Sequence, residues 1–246
     1  MLDIPRRLLV PSVVSESCAD VILGLDAASD DFFPCAKLSV SKAVGYAIIL
    51  GAAILKVPII INMLRASSAK GLSSVSLTLE TTMYMSSFLY NFFAGMPFST
   101  YGENGIILVQ NIVIVALFLA YGGAGSSSSA AVIPAILGLF ALVGYFLPSD
   151  YHFLLVAWTT ICVTSSKLPQ ILQNFHQKHT GVLSLITLAL QFVGGVARLG
   201  TLFQEVDDML VIGNTSLAVF LNFIILAQYL VYASNTKKIM AKAKKE

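Results

Sequence analysis

The sequence predicts an all-α integral membrane protein with seven transmembrane helices, arranged as two parallel three-helix repeats joined by a linker helix. Three observations carry this: a shortage of charge, seven apolar stretches of bilayer length, and a phrase that recurs in the second half.

Of 246 residues, 57% are hydrophobic and 11% charged. Mean hydropathy is +0.82. A soluble domain carries about a quarter charged residues, so the membrane class comes first. The net charge of +2, without a basic patch interleaved with aromatics, gives no footprint for nucleic acid. A span needs about 17–25 apolar residues. Such stretches fall at 43–63, 73–95, 104–121, 130–147, 152–174, 182–203 and 211–233. Strand-period alternation is absent, which argues against a β-barrel. The expected organisation is an arm over 1–42, a first repeat over 43–121, a Ser/Gly linker and inverter helix over 122–147, a second repeat over 148–233, and a basic tail over 234–246.

The arm has scattered charges and no continuous apolar core, so it does not read as a signal peptide. Seven spans put the 64–72, 121–130 and 175–181 connections on the side of the C-terminus. That side holds Arg65, Lys70, Lys178 and the tail lysines, whereas the opposite loops hold Glu103, Asp150, Glu205, Asp207 and Asp208. The positive-inside rule then predicts a cytosolic C-terminus and a lumenal N-terminus. A lumenal arm allows a Cys18–Cys35 disulfide; two independent thiols are the alternative, and Cys162, mid-span, reads as packing. Lys242 and Lys244, three and five from the end, have the dilysine form of an endoplasmic-reticulum retrieval address. The alternative is a basic tail drawn to anionic lipid.

Aligning Lys56-Val-Pro58 with Lys167-Leu-Pro169 gives a shift of 111, with one residue slipping between the prolines and the glycines Gly71 and Gly181. Four crossings separate the two phrases, so the halves point the same way. Proline frees backbone groups in a helix, which in lipid must face protein or water. Pro58 and Pro169 are therefore expected as hinges, with packing kinks as the alternative.

Lys167-Leu-Pro169-Gln170 followed by a short turn resembles a PQ-loop repeat, the family of the SWEETs and the lysosomal amino-acid exporters. "RLLVP" (7–11), "PCAKLSVSKAVG" (34–45), "AKGLS" (69–73), "PFSTYGE" (97–103) and "HTGVLSLIT" (179–187) resemble, more narrowly, the mannose-P-dolichol utilization defect family. That resemblance implies an endoplasmic-reticulum protein needed for using dolichol-phosphate-mannose and dolichol-phosphate-glucose in lipid-linked oligosaccharide and GPI-anchor assembly. Lipid scrambling, donor presentation and chaperoning all fit it. One departure stands out: Ile59 occupies the place of a PQ-loop glutamine in the first repeat.

Ionisable residues inside spans are functional candidates by default. Glu80 and Arg198 lie in corresponding helices and are expected either to neutralise each other or to leave Arg198 for a phosphate. Lys56 and Lys167 read as snorkelling to the headgroups, or as a grip on an entering phosphate. Gln110 and Gln191, with Asn91 and Asn222, read as interhelical hydrogen-bonders and candidate lining, Gln170 as a ligand contact, and Glu103 as a solvated or helix-N-terminal charge and a secondary site. Glu205, Asp207 and Asp208 read as a solvated acidic loop. His152, His176 and His179 lack metal-ligand spacing, and no nucleophile-base arrangement or cofactor motif is present; no metal, cofactor or catalytic residue is expected. The expected partners are membrane lipid, dolichol-phosphate-linked sugars and lumenal glycosyltransferases. A SWEET-like carrier of a small solute and a non-transporting scaffold are the competing functions.

Overall fold

The structure, a computed structural model, describes Cys18 and residues 32–69, 71–122, 127–180 and 184–243, with only the backbone of 127–130 and 237–243. Its helices are α1 (Phe32–Leu55), α2 (Val57–Ala66), α3 (Ser74–Phe93), α4 (Gly102–Ala120), α5 (Ser127–Phe146), α6 (Phe153–Gln177), α7 (Leu185–Glu205) and α8 (Met209–Ala243). Single turns of 3₁₀-helix at Phe98–Thr100 and Ser149–Tyr151 precede α4 and α6. With α1 and α2 as one broken rod, the described residues form seven helical rods in the expected order.

Four rods, 32–66, 102–120, 185–205 and 209–236, are long and apolar enough to cross a bilayer by themselves. Ala131–Phe146 and Ser149–Gln177, bent at 120°, make a fifth if counted together. Hydroxyl-bearing residues dilute α3 and α6. Thr78, Thr81 and Thr82 donate to carbonyls one turn back in α3, and Thr159 and Thr160 do so in α6. Such bonds satisfy the hydroxyls locally, so these helices can face a polar interior without unpaired groups.

The rod 32–66 has 35 residues, about 50 Å at 1.5 Å per residue. That exceeds the roughly 30 Å hydrocarbon core, so it reaches past the bilayer. The first membrane rod among the described residues thus starts at Phe32, within the expected arm rather than at 43, and α8 runs on to Ala243 through the start of the expected tail. Lys244 lies outside the described residues, as do 1–17 and 19–31 of the arm, and of Lys242 only the helical backbone is described.

Each half orders its helices first, third, second. α4 packs against both α1 and α3, and α8 packs against both α6 and α7. The halves join where α3 meets α6 and where α1 meets α7, while α5 packs against α3. Local geometry repeats as well. Ser67 and Lys178 close α2 and α6 with left-handed φ of 44° and 55°. Ser73 and Ser184 open α3 and α7 with φ/ψ of −92°/125° and −93°/126°. Both pairs keep the shift of 111, so the turns are equal in length and the expected one-residue slip is absent. The sequence misplaced it by pairing Gly71 with Gly181, which lies outside the described residues; at the constant shift Gly71 faces Val182.

The two ends of the bundle differ. At one end, here the acidic end, lie the start of α1 and the turns before α4, α6 and α8; at the basic end lie the turns after α2 and α6. Leu202, Val206 and Ile212 pack with Met96 at the acidic end, and Tyr90 packs with Leu155 and Val156 across the halves. Toward the basic end the core of Met63, Leu77, Ile114 and Phe118 stays within the first half, closed by Ile133 of α5. Outward-facing Leu139, Leu142 and Val143 are exposed, as suits a surface whose solvent is lipid.

Two features fix the acidic end. Cys18 and Cys35 are disulfide-bonded with Cα atoms 5.3 Å apart, tying the arm to the first turn of α1. Gly45 of α1 lies so near the Phe98–Thr100 turn that an added Cβ would stand 2.5 Å from the Ser99 carbonyl oxygen. Gly45→Ala is expected to cost about 1–3 kcal/mol by overpacking, read as a lower unfolding midpoint in detergent. Cys18→Ser is expected to cost about 3 kcal/mol, the chain-entropy value for a loop near 15 residues, read by the same measurement.

Candidate functional site

Arg198 comes from the middle of α7 and is buried, at 8% exposure. Its Nη1 donates to the Ser99 carbonyl at 2.8 Å, an acceptor that the 3₁₀ turn leaves free, and to Thr201 Oγ1 at 3.4 Å. Its Nη2 stands 2.5 Å from Glu103 Oε2. Glu103 lies in the first turn of α4, where the positive end of the helix dipole favours a carboxylate. The contact joins the charges but lacks hydrogen-bond geometry, and Arg198 Nε has no hydrogen-bond partner among the described residues.

Beside this pair lies a cavity of about 190 Å³ between the halves. Tyr84, Ser87 and Asn91 of α3, Glu103 and Asn104 of α4, Thr159 of α6, Arg198 of α7, and Asn214 and Thr215 of α8 supply its polar wall. Met83, Val156, Val163 and Leu202 supply the apolar part. The repeat helps to build it: at the shift of 111, Glu103 corresponds to Asn214 and Asn104 to Thr215. The third helix of each half thus presents two adjacent polar residues to one space, with a carboxylate on one side only. Amides and hydroxyls around a cation suit an anionic or polyhydroxylated guest.

The expected Glu80–Arg198 neutralisation does not occur. Glu80 binds Lys56 Nζ at 2.6 Å, and Arg198 takes Glu103. Depth decides this: Glu80 lies one and a half turns from the basic-end start of α3, whereas Arg198 lies two turns from the acidic-end finish of α7. Lys56 does not snorkel either. It sits at the break between α1 and α2, with Pro58 in the first turn after it. Gln110 of α4 spans that break, accepting from the Lys56 backbone N–H at 3.3 Å and donating to the Ala53 carbonyl at 2.6 Å. Lys167 also turns inward, to Asn222 Oδ1 at 2.6 Å. Each lysine finds its partner inside its own half.

The two prolines differ. Pro58 stands at a true interruption, whereas Pro169 lies inside the continuous α6. Gln170 does not line this cavity. Gln191 is exposed and forms no interhelical bond among the described residues. Asn91 donates to Ser87 of its own helix rather than across helices.

The acidic loop is not simply solvated. Glu205 accepts from Ser41 of α1 at 2.6 Å and from Ser99 of the 3₁₀ turn. Asp208 accepts from the Tyr90 hydroxyl at 2.6 Å and from the Leu210 N–H at 2.8 Å, so it caps α8 as well. Ser86 to the Leu155 carbonyl and Trp158 to Thr82 add links near mid-depth. At the basic end the observed bonds, Asn174 to Gln228 and Thr180 to Thr236, stay within the second half. Among the described residues the bonds between the halves lie at the acidic end and at mid-depth. Sequence reasoning missed Ser41, Ser99, Asn104 and Asn214. Only the last two carried a signal, as repeat mates of Thr215 and Glu103.

Removing one partner of a buried pair costs about 3–5 kcal/mol, and removing both costs far less. Glu103→Gln alone is therefore expected to lower thermal stability sharply. Glu103→Gln with Arg198→Gln should recover most of the loss in a double-mutant cycle, and strict additivity would show that the charges do not interact.

Against known proteins, residues 40–100 and 151–211 match the PQ loop repeat. The matched segments are offset by 111, the shift that the caps and helices keep. The chain is similar to human solute carrier family 66 member 3, at 24% identity over 186 residues, which cover 76% of this chain and 91% of that protein. Two matched repeats, each covering the first two rods of a three-helix half, with α5 between the halves, make this chain a member of the PQ-loop repeat family.

Proposed function

We propose that this protein is an endoplasmic-reticulum membrane protein that moves or presents dolichol-phosphate-mannose and dolichol-phosphate-glucose for lipid-linked oligosaccharide and GPI-anchor synthesis. The observation that carries this reading is Arg198, a buried guanidinium beside a polar cavity with its Nε unpartnered among the described residues. Guanidinium is the side chain best matched to phosphate oxygens. Asn91, Asn104, Asn214 and Thr215 offer the donors and acceptors that sugar hydroxyls require. A charged head crosses hydrocarbon only at high cost, and a neutralised polar cavity between two helical halves lowers that cost. The choice of lipid in this reading rests on the blocks that resemble the mannose-P-dolichol utilization defect family.

The orientation follows from the same reading. A disulfide at the acidic end fits the oxidising lumen, and the lysine-rich end then faces the cytosol. On this reading the cavity opens toward the cytosolic side, where Lys56 and Lys167 stand, and the bonds at the lumenal end hold it closed there. Translocation would require release of Ser41 and Ser99 from Glu205 and of Tyr90 from Asp208. Lys242 and Lys244 would hold the protein in the endoplasmic reticulum, and lumenal glycosyltransferases would take the delivered donor.

A second reading, a carrier of a small free solute, is favoured by the cavity volume of about 190 Å³ and by the similarity to a protein named as a solute carrier. In cells carrying Arg198→Gln on a Glu103→Gln background, which keeps the site neutral, lipid-linked oligosaccharides are expected to stop before the lumenal mannose additions while dolichol-phosphate-mannose persists. A full-length oligosaccharide profile at normal protein level overturns the first reading. Uptake of sugar or amino acid into vesicles holding only this protein would establish the second.

A further inference from the structure

A second space lies beside the polar cavity. It is a crevice of about 500 Å³ between α3 and α6, walled by Leu79, Met83, Trp158, Ile161 and Cys162, with Ser76, Glu80, Ser165 and Ser166 completing its lining. Leu79 and Ile161 at its rim are 45% and 57% exposed. On helices that cross a bilayer, that exposure is toward hydrocarbon, so the crevice opens sideways into lipid.

Met83 belongs to the walls of both spaces. A molecule filling both would meet Arg198 and amides at one end and the apolar faces of Leu79, Met83, Trp158 and Ile161 at the other. The charges agree with that polarity. The Lys56–Glu80 pair is closed by a 2.6 Å contact, whereas Arg198 Nε has no hydrogen-bond partner among the described residues, so the head is directed toward Arg198 and the chain toward Leu79 and Ile161. We propose that the α3–α6 crevice binds the hydrocarbon chain of a polyprenyl phosphate while its head occupies the Arg198 cavity. This deepens the preceding reading and rests on it for the identity of the head.

The other seam between the halves, α1 against α7, lacks the same walls. At the constant shift, Trp158, Cys162 and Met83 are replaced by Ala47, Gly51 and Gly194. The repeat is thus symmetric in backbone and asymmetric in this feature, so one lipid chain binds per molecule. Phe140 of α5 lies 5.9 Å, ring to ring, from Trp158. The linker helix therefore buttresses the wall of this seam.

Cys162 provides a native reporter for the test. The chain has three cysteines; Cys18 and Cys35 are bonded to each other, leaving Cys162 as the free thiol. The full-length protein, oxidised and held in phosphatidylcholine nanodiscs, is treated with N-ethylmaleimide while dolichyl phosphate, mannose 1-phosphate or phosphatidic acid is added. At about four times its dissociation constant, dolichyl phosphate is expected to slow alkylation about fivefold, the ratio set by occupancy. Mannose 1-phosphate should leave the rate unchanged. Ile161→Trp, which fills the crevice with an apolar group, should abolish the slowing while the protein keeps its unfolding midpoint.

Unchanged alkylation with every additive overturns the crevice assignment. Equal slowing by phosphatidic acid overturns its selectivity for a polyprenyl chain. Slowing that depends on the number of protein copies per nanodisc, rather than on added lipid, makes a second copy of the chain the occupant and also overturns it. Slowing by dolichyl phosphate together with a normal oligosaccharide profile in the Arg198 variant leaves the crevice standing and removes the preceding functional reading.

Discussion

The contact on which the arrangement turns is the one between Arg198 and Glu103 toward the acidic end of the bundle. A lone ionised side chain in a low-dielectric interior is costly, so the guanidinium on α7 and the carboxylate on α4 require each other. Because those helices belong to different halves, satisfying the charges also fixes how the halves meet. Arg198 reaches Ser99 in the turn before α4, and Ser99 in turn donates to Glu205 at the end of α7. A short circuit of charge and hydroxyl groups thereby closes the acidic end, with the Gly45 backbone pressed against the same turn.

The repeat explains why such a circuit can exist on one side only. Two copies of one three-helix unit pack first helix against second helix across the interface, so every contact has a potential mate. The side chains have diverged at the positions that matter: Glu103 faces Asn214, Glu80 corresponds to Gln191, and Lys56 and Lys167 bind a carboxylate and an amide respectively. In lipid, helices gain little from apolar burial, and packing plus polar contacts decide association. A few polar substitutions therefore move the balance between the two seams more than they would in water.

The break at Lys56 shows the same economy. A proline frees backbone groups that lipid cannot satisfy, and Gln110 takes a donor on one side and an acceptor on the other. Gln110 is thereby committed to the backbone rather than to a ligand. Its repeat mate is Leu221, and α6 at Pro169 has no break to bridge. The first half therefore contains an articulated rod and the second half a continuous one.

The chain's own order of residues determined the membrane class, the number of helical rods, the two repeats and the candidates Arg198 and Glu103. Each follows from local properties: hydropathy over a window, the cost of a charge in a span, and a recurring phrase. The structure alone decided which charge meets which. Glu80 and Arg198 look like partners on corresponding helices, yet they lie at different depths, and depth emerges only when the helices are staggered and tilted. Ser41, Ser99, Glu205 and Asp208 read as ordinary polar residues because nothing in a linear window reveals that α1, the turn before α4 and the end of α7 converge. Contacts between distant segments are set by packing of the whole bundle, and there the closed end, the cavity and the lateral crevice originate.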